Sequence, residues 1–543
     1  MIKKIFGNKA FFPLLILIVV GGFFIVNAFN YYKFPEITNI EPAVAYPGDL
    51  LIISGTHFGK TRNGAEVRIA GERPVTKSYK SWSDKTIEVL IPDDATSGMV
   101  TVTTRRGKSN GVLFSNREHI PVILKGPQKP GYPYIESVEP SSGAIGSLIT
   151  IKGLNFSHDR GSSSVYFSTY ALGDSVTTDN SINGMIKCSE IDYDYESWDE
   201  QLIKVYIPDG ASSGNIKIKT DRGVSNALYY EVESSAGKKI FNSKMGVQVE
   251  YGVEVSNAVG NSKNGLNLWV PAVRVSPEQR NVETVAEPQP LWDDYLGLMR
   301  YHFSNLKSEE KYNILIKSWM ECFSIETKIN PQKVLTVYNE DRDLFKKYTM
   351  AEDLIPSDDE RIIDASKKAV GRERNPFLKA EKIYNYVIDN MRYTAKSNGT
   401  DSVKNLGRGT GDSYTYAVIF TAMCRAVGIP SRPNSGILVY NNKQCTNHYW
   451  AEFYIEGFGW VPVDPVLGDG VRFGNFPTDS EIIPKDFYFG SMDNHHVTFT
   501  HGVVPVKKVD PQGKLSGKKS LYSMQSIYEE SSGLSSYSSY WRA

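Results

Sequence analysis

Three residues in the C-terminal half have the types and order that nucleophilic acyl chemistry needs. Ser413 follows Gly409-Thr410-Gly411-Asp412 and opens a stretch in which Ala417, Phe420, Thr421, Cys424 and Val427 recur at helical spacing. Gly428 and Pro430 stop that helix. His448 lies in an alternating run, on one strand face with Trp450, Glu452 and Tyr454. Gly457-Phe458-Gly459 makes a turn, and Trp460 to Val463 returns as a neighbouring strand with Asp464 at its end. A hydroxyl at a helix N-terminus, an imidazole and a carboxylate can serve as nucleophile, base and orienting acid. Ser413, His448 and Asp464 are therefore the candidate catalytic set.

Four segments carry a resemblance: the Gly-Asp-Ser turn, Arg425 to Arg432, His448-x-Trp450-x-Glu452, and Gly457 to Pro465. Together they resemble the transglutaminase-like superfamily of papain-type domains. The resemblance implies an α+β domain over residues 350–506 and, where active, peptidase, amidase or acyltransferase chemistry. It also implies a cysteine where this chain has Ser413, with His448 and Asp464 at the other two triad positions. A thiolate is stabilised by a helix N-terminus and a nearby imidazole. A serine hydroxyl has no comparable anion and acts only if His448 removes its proton during attack. The implied function is thus peptide or protein binding at the cell envelope without cysteine-type catalysis. An active Ser-His-Asp peptidase or amidase is the alternative, and a structural spacer a third. Cys424 lies along the same helix, on the order of 16 Å from Ser413, and reads as core. Cys445 falls on the opposite strand parity from His448. Neither replaces the nucleophile.

The remaining elements carry or frame this site. Paired helices precede it: Ser357-Asp358-Asp359-Glu360 is a capping box, and Asn375-Pro376 opens a second helix. Residues 240–337 alternate and read as a further β-region, which the transglutaminase-like resemblance implies is a β-sandwich. Upstream, Ile37 to Pro42 matches Ile135 to Pro140, Leu51 to Phe58 matches Ile149 to Phe156, and Ile91 to Gly98 matches Ile207 to Gly214. These motifs are similar to IPT/TIG immunoglobulin-like β-sandwiches, placed at residues 34–118 and 132–233. The second copy carries a polar, acidic insertion at Thr169 to Tyr195, read as a surface loop. The tail 507–543 is rich in Ser, Lys and Tyr and reads as disordered.

Lys3, Lys4 and Lys9 precede an apolar run at residues 10–29. That pattern predicts a transmembrane helix with residues 1–9 cytoplasmic and the bulk extracytoplasmic, periplasmic or at the cell surface. Secretion after signal cleavage near Val26-Asn27-Ala28 is the alternative. The 543 residues exceed one core, and a formal net charge of zero gives no global sign of nucleic acid binding. The four cysteines show no metal or disulfide spacing. No cofactor or metal is expected. Trp450 and Trp460 read as packing residues, Arg425 and Glu452 as a buried pair, and His495, His496 and His501 as surface or packing residues.

Overall fold

The computed structural model describes residues 20–21, 33–117, 129–170, 182–295, 297–395, 399, 401–440, 444–474, 476, 482–504, 506–518 and 527–542. The chain divides into two compact units, residues 1–124 and 125–543. The transmembrane helix expected at residues 10–29 is corrected: among the described residues no helix is long and apolar enough to cross a membrane. Of that segment only residues 20 and 21 are described.

The first unit holds a β-sandwich of a four-stranded and a five-stranded sheet. Its strands alternate as the sequence does, with Leu51 and Ile53 buried and Leu50 exposed. The repeated Gly-x-x-Phe motif has a steric cause. A Cβ at Gly55 would lie 2.0 Å from the Glu36 carbonyl oxygen and 2.4 Å from the Phe58 ring. Gly153 meets the Tyr134 carbonyl oxygen at 2.0 Å and Phe156 at 2.5 Å in the same way.

In the second unit the second sandwich packs around Ile149, Ile151, Val165, Ile203, Val205 and Ile218. A sheet of much longer strands follows. Strand β1 (Gly237–Pro271) pairs antiparallel with β3 (Tyr312–Ile329) from Gly237↔Ile329 to Val255↔Tyr312, and β2 (Gln279–Glu287) lies outside β3. The sandwich expected at 240–337 is therefore one extended sheet. Its inner face packs on the α+β domain that follows, where Tyr251 meets Phe499 edge-on at 5.0 Å.

Helices α1 (Glu360–Val370), α2 (Pro376–Asn390) and α3 (Ser413–Ala426) come next. Asp359 caps α1, and Asn375 caps α2 through the Phe377 and Leu378 amides. A four-stranded antiparallel sheet backs them: β6 (Gly459–Val463), β5 (Gln444–Ile455), β4 (Ser431–Tyr440) and β7 (His496–His501), in that order. Every residue of α3 from Ser413 to Arg425 is buried, because the other helices and β5 cover it on all sides. The tail is a second correction. Strand β8 (Ile527–Arg542) pairs with β1 from Gly252↔Arg542 to Trp269↔Tyr528. Its serines and tyrosines fit a half-exposed pleat, and Glu529 accepts hydrogen bonds from Tyr537, Ser539 and Trp541.

Candidate active site

Asp412 caps α3: its side chain accepts from the Thr415 amide at 3.1 Å and from the Thr415 hydroxyl at 2.9 Å. Ser413 is the first residue inside the helix, so the capping role that a helix-start serine would ordinarily fill is already taken. It is buried.

His448 and Asp464 come together from adjacent strands, with Nε2 of His448 2.6 Å from Oδ2 of Asp464 and both fully buried. The other carboxylate oxygen, Oδ1, accepts from the Val466 and Leu467 amides, each at 3.0 Å. Burial would raise the Asp464 pKa, but His448 and then His496 outweigh it and hold the carboxyl well below its ordinary range. An ionised carboxylate only accepts, so the Nε2 that faces it carries a hydrogen. The lone pair of a neutral His448 is then on Nδ1, which is buried with no hydrogen-bond partner. No hydrogen bond thus joins Ser413 to His448. Phe473 stands edge-on to the imidazole at 5.2 Å, and Trp450 lies nearly parallel at 6.1 Å.

His496 corrects the sequence reading of a surface or packing residue. It is buried, its Nε2 lies 3.2 Å from Asp464 Oδ2 and its Nδ1 lies 2.9 Å from Asp493 Oδ1. Burial works against its charge, but the Asp493 and Asp464 carboxylates win and push its pKa up to about 9. Asp464 is therefore shared between two imidazoles. His448, Asp464 and His496 offer ligand atoms within 4.8 Å of one another, a composition that could hold a metal ion. In the hydrogen-bonded arrangement the same Nε2 atoms face Asp464.

The expected Arg425–Glu452 pair is not formed. Arg425 pairs with Glu352 at 3.0 Å, whereas Glu452 takes Arg432 and lies 3.3 Å from His501 Nδ1. The insertion read as a surface loop is the larger surprise. Its Asp192 accepts from Arg432 and, at 3.0 Å, from the indole of Trp460. Ile191 accepts from Tyr348 at 2.8 Å, and Asp194 from Arg342 at 3.3 Å. Asp209, also in the second sandwich, accepts from Lys239 and from the Trp460 amide at 3.1 Å. Trp460 is the second residue of β6, which leads directly into Asp464, so the second sandwich is braced against the site's own strand. The acidic Asp192-Tyr193-Asp194 run was the available signal. Cys424 is buried core as expected, and Cys445 is exposed.

The transglutaminase-like superfamily description matches residues 363–465, and the IPT/TIG domain description matches residues 35–116 and 133–232. The chain carries a transglutaminase-like core and two IPT/TIG domains. An uncharacterized protein of Haemophilus influenzae is 29% identical over 164 residues, covering 25% of this chain and 44% of that relative. This chain thus matches less than half the length of that curated relative. Among solved structures, a candidate cysteine protease of Cytophaga hutchinsonii is 15% identical with a TM-score of 0.37, covering 56% of this chain and 92% of that one. A protein named SGBP-B from a Bacteroides uniformis xyloglucan utilization locus is 13% identical with a TM-score of 0.14, covering 55% of this chain and all of its own.

Proposed function

We propose that this is an exported protein whose transglutaminase-like domain does not perform cysteine chemistry and binds peptide or protein partners at the cell envelope. The observation that carries this reading is the unmade bond. Ser413 stands where the resemblance implies a cysteine, and His448 Nδ1 has no hydrogen-bond partner although the His448–Asp464 half is intact. A serine needs that bond to become a nucleophile, because its hydroxyl does not ionise by itself. Export is supported by Lys3, Lys4 and Lys9 ahead of the apolar run at residues 10–29. Protease added to intact spheroplasts should digest the folded domains; protection until lysis would overturn export.

The same Nδ1 favours a second reading, a Ser-His-Asp hydrolase acting on peptide or amide bonds. The lone pair is on the nitrogen that a base would use, and a substrate could bring Ser413 into reach. A fluorophosphonate probe separates the two readings. Without labelling of Ser413, and with binding to envelope peptides that are not cleaved, the binding reading stands. Labelling that Ser413→Ala abolishes, together with amidase turnover, replaces it with the hydrolase.

A further inference from the structure

The His448 imidazole is wholly buried, so nothing reaches it in the resting structure. Binding or hydrolysis at this site therefore requires one of its walls to move. Among the described residues, its hydrogen bonds and ring contacts are to Asp464, His496, Trp450 and Phe473. Three of these are fixed by the sheet. Trp450 lies inside β5 opposite Asn434, and His496 opens β7 opposite Leu438. Asp464 follows β6 directly and is held by the Val466 and Leu467 amides. Moving any of them breaks ladder or capping hydrogen bonds in a dry interior, which is costly. Phe473 differs: it is half-buried and belongs to no helix or strand.

The backbone around Phe473 is lightly tied. The one-turn helix Pro465–Gly468 runs into Asp469, Gly470 and Val471, whose amides donate to the Pro465, Leu467 and Val466 carbonyls. Asp469 also accepts from the Tyr416 hydroxyl at 3.0 Å. Past Val471, among the described residues, the segment's backbone hydrogen bond is internal: the Phe476 amide donates to the Phe473 carbonyl at 2.8 Å. Phe476 anchors the far end, edge-on to Tyr440 at 6.4 Å and to His495 at 5.3 Å. Gly470 and Gly474, on either side of Phe473, both have left-handed φ, 80° and 51°. Such positions absorb backbone rotation with little steric cost. What holds Phe473 down is thus its own ring, edge-on to His448 at 5.2 Å and to Tyr393 at 5.7 Å. Segments with few backbone hydrogen bonds and modest burial open at low free energy while the core stays folded.

We infer that Arg472-Phe473-Gly474 is a gate over His448, swinging between Gly470 and Gly474 with the Phe473 ring as its latch. The resting chain is closed, and an incoming peptide reaches His448 only by displacing that ring. The place it vacates is lined by Tyr393 and the imidazole, so it suits an apolar side chain beside a hydrogen-bonding group. The inference rests on the reading that partners engage the His448 site, and adds to it the device that controls access.

Diethyl pyrocarbonate acylates accessible neutral imidazoles, and mass spectrometry of the full chain reads each histidine separately. Exposed His158 serves as the internal reference. In the wild-type chain His448 should react far more slowly than His158. Phe473→Ala should speed His448 about tenfold or more, the equivalent of losing half of a buried phenylalanine's contribution, and Phe473→Leu should speed it less. The buried His501 should not change. Low urea should leave the wild-type His448 rate unaltered, because a local opening exposes little surface. A His448 rate as fast as that of His158 would show the site already open, and an unchanged rate in Phe473→Ala would put the gate elsewhere; either overturns the inference. So does a parallel rise at His501 or a steep urea dependence, which would mean that the whole domain loosens. The measurement uses no partner, so its failure leaves the peptide-binding reading standing, and that reading fails separately if no envelope peptide binds.

Discussion

At the scale of single residues, the question is whether the site of a thiolate is preserved under Ser413. Ser413→Cys is nearly isosteric, and its thiol would sit at a helix N-terminus with the His448–Asp464 pair already assembled. Its pKa should fall well below that of a free cysteine, about 8.5. Iodoacetamide should label it faster than the native cysteines at mildly acidic pH, and His448→Ala in the same background should slow the reaction. A thiol no faster than Cys445 would mean that the geometry is lost. His496 gives a second prediction. Its pKa rises from 6.5 to about 9 on folding, so its contribution is complete below about 6.5 and is lost as pH climbs through 9. That contribution is on the order of 3 kcal/mol, and urea unfolding should show it as a decline between pH 6 and pH 9 that His496→Gln flattens. An unchanged slope in that variant would assign the decline to other groups. His448 and Asp464 were legible because each sits in a dense motif of tryptophans, glycines and prolines. His496 was not, since Asp464 reaches it from another strand and no spacing rule encodes that meeting. The Arg425–Glu452 pairing failed for a related reason: in β5 and β4 the register places Arg432 opposite Glu452.

At the scale of elements, the insertion of the second sandwich behaves as a brace. Removing the Asp192 carboxylate takes a buried charge from Arg432 and an acceptor from Trp460. Asp192→Ala should therefore destabilise the second unit by about 3 kcal/mol in denaturant unfolding, the range for breaking a buried pair. Asp192→Asn, which can still accept from the indole, should lose less. A loss within about 0.5 kcal/mol for Asp192→Ala would show that Glu452 alone neutralises Arg432. Element type was legible where the period was local: the paired helices, the α3 start and the alternating sandwich strands, although α1 is capped by Asp359 and not by the Ser357–Glu360 capping box read from the sequence. Strand β8 was not, because its polar composition resembles a disordered tail and its partner β1 lies more than 250 residues earlier in the chain. The insertion misled in the same way, since acidic residues signal solvent unless their buried partners are known.

At the scale of the whole chain, the two compact units make a prediction about cooperativity. A fragment of residues 125–543 should melt at the same temperature as the corresponding transition of the full chain. A fragment of residues 350–506 alone should melt well below it, because Trp460, Arg432 and Phe499 lose the partners that cover them. Equal melting of both fragments would make the bracing contacts superfluous. The bracing also bears on descent. Sandwich modules spread by shuffling when their junctions can be cut without damage. The first one here forms a compact unit of its own. The second shares a carboxylate with Arg432 and Trp460, so a recombination event that exchanged it would strand a buried cation in the recipient. It should therefore travel with its transglutaminase-like neighbour as a single heritable block, and lineages that lose the insertion should also have replaced Arg432.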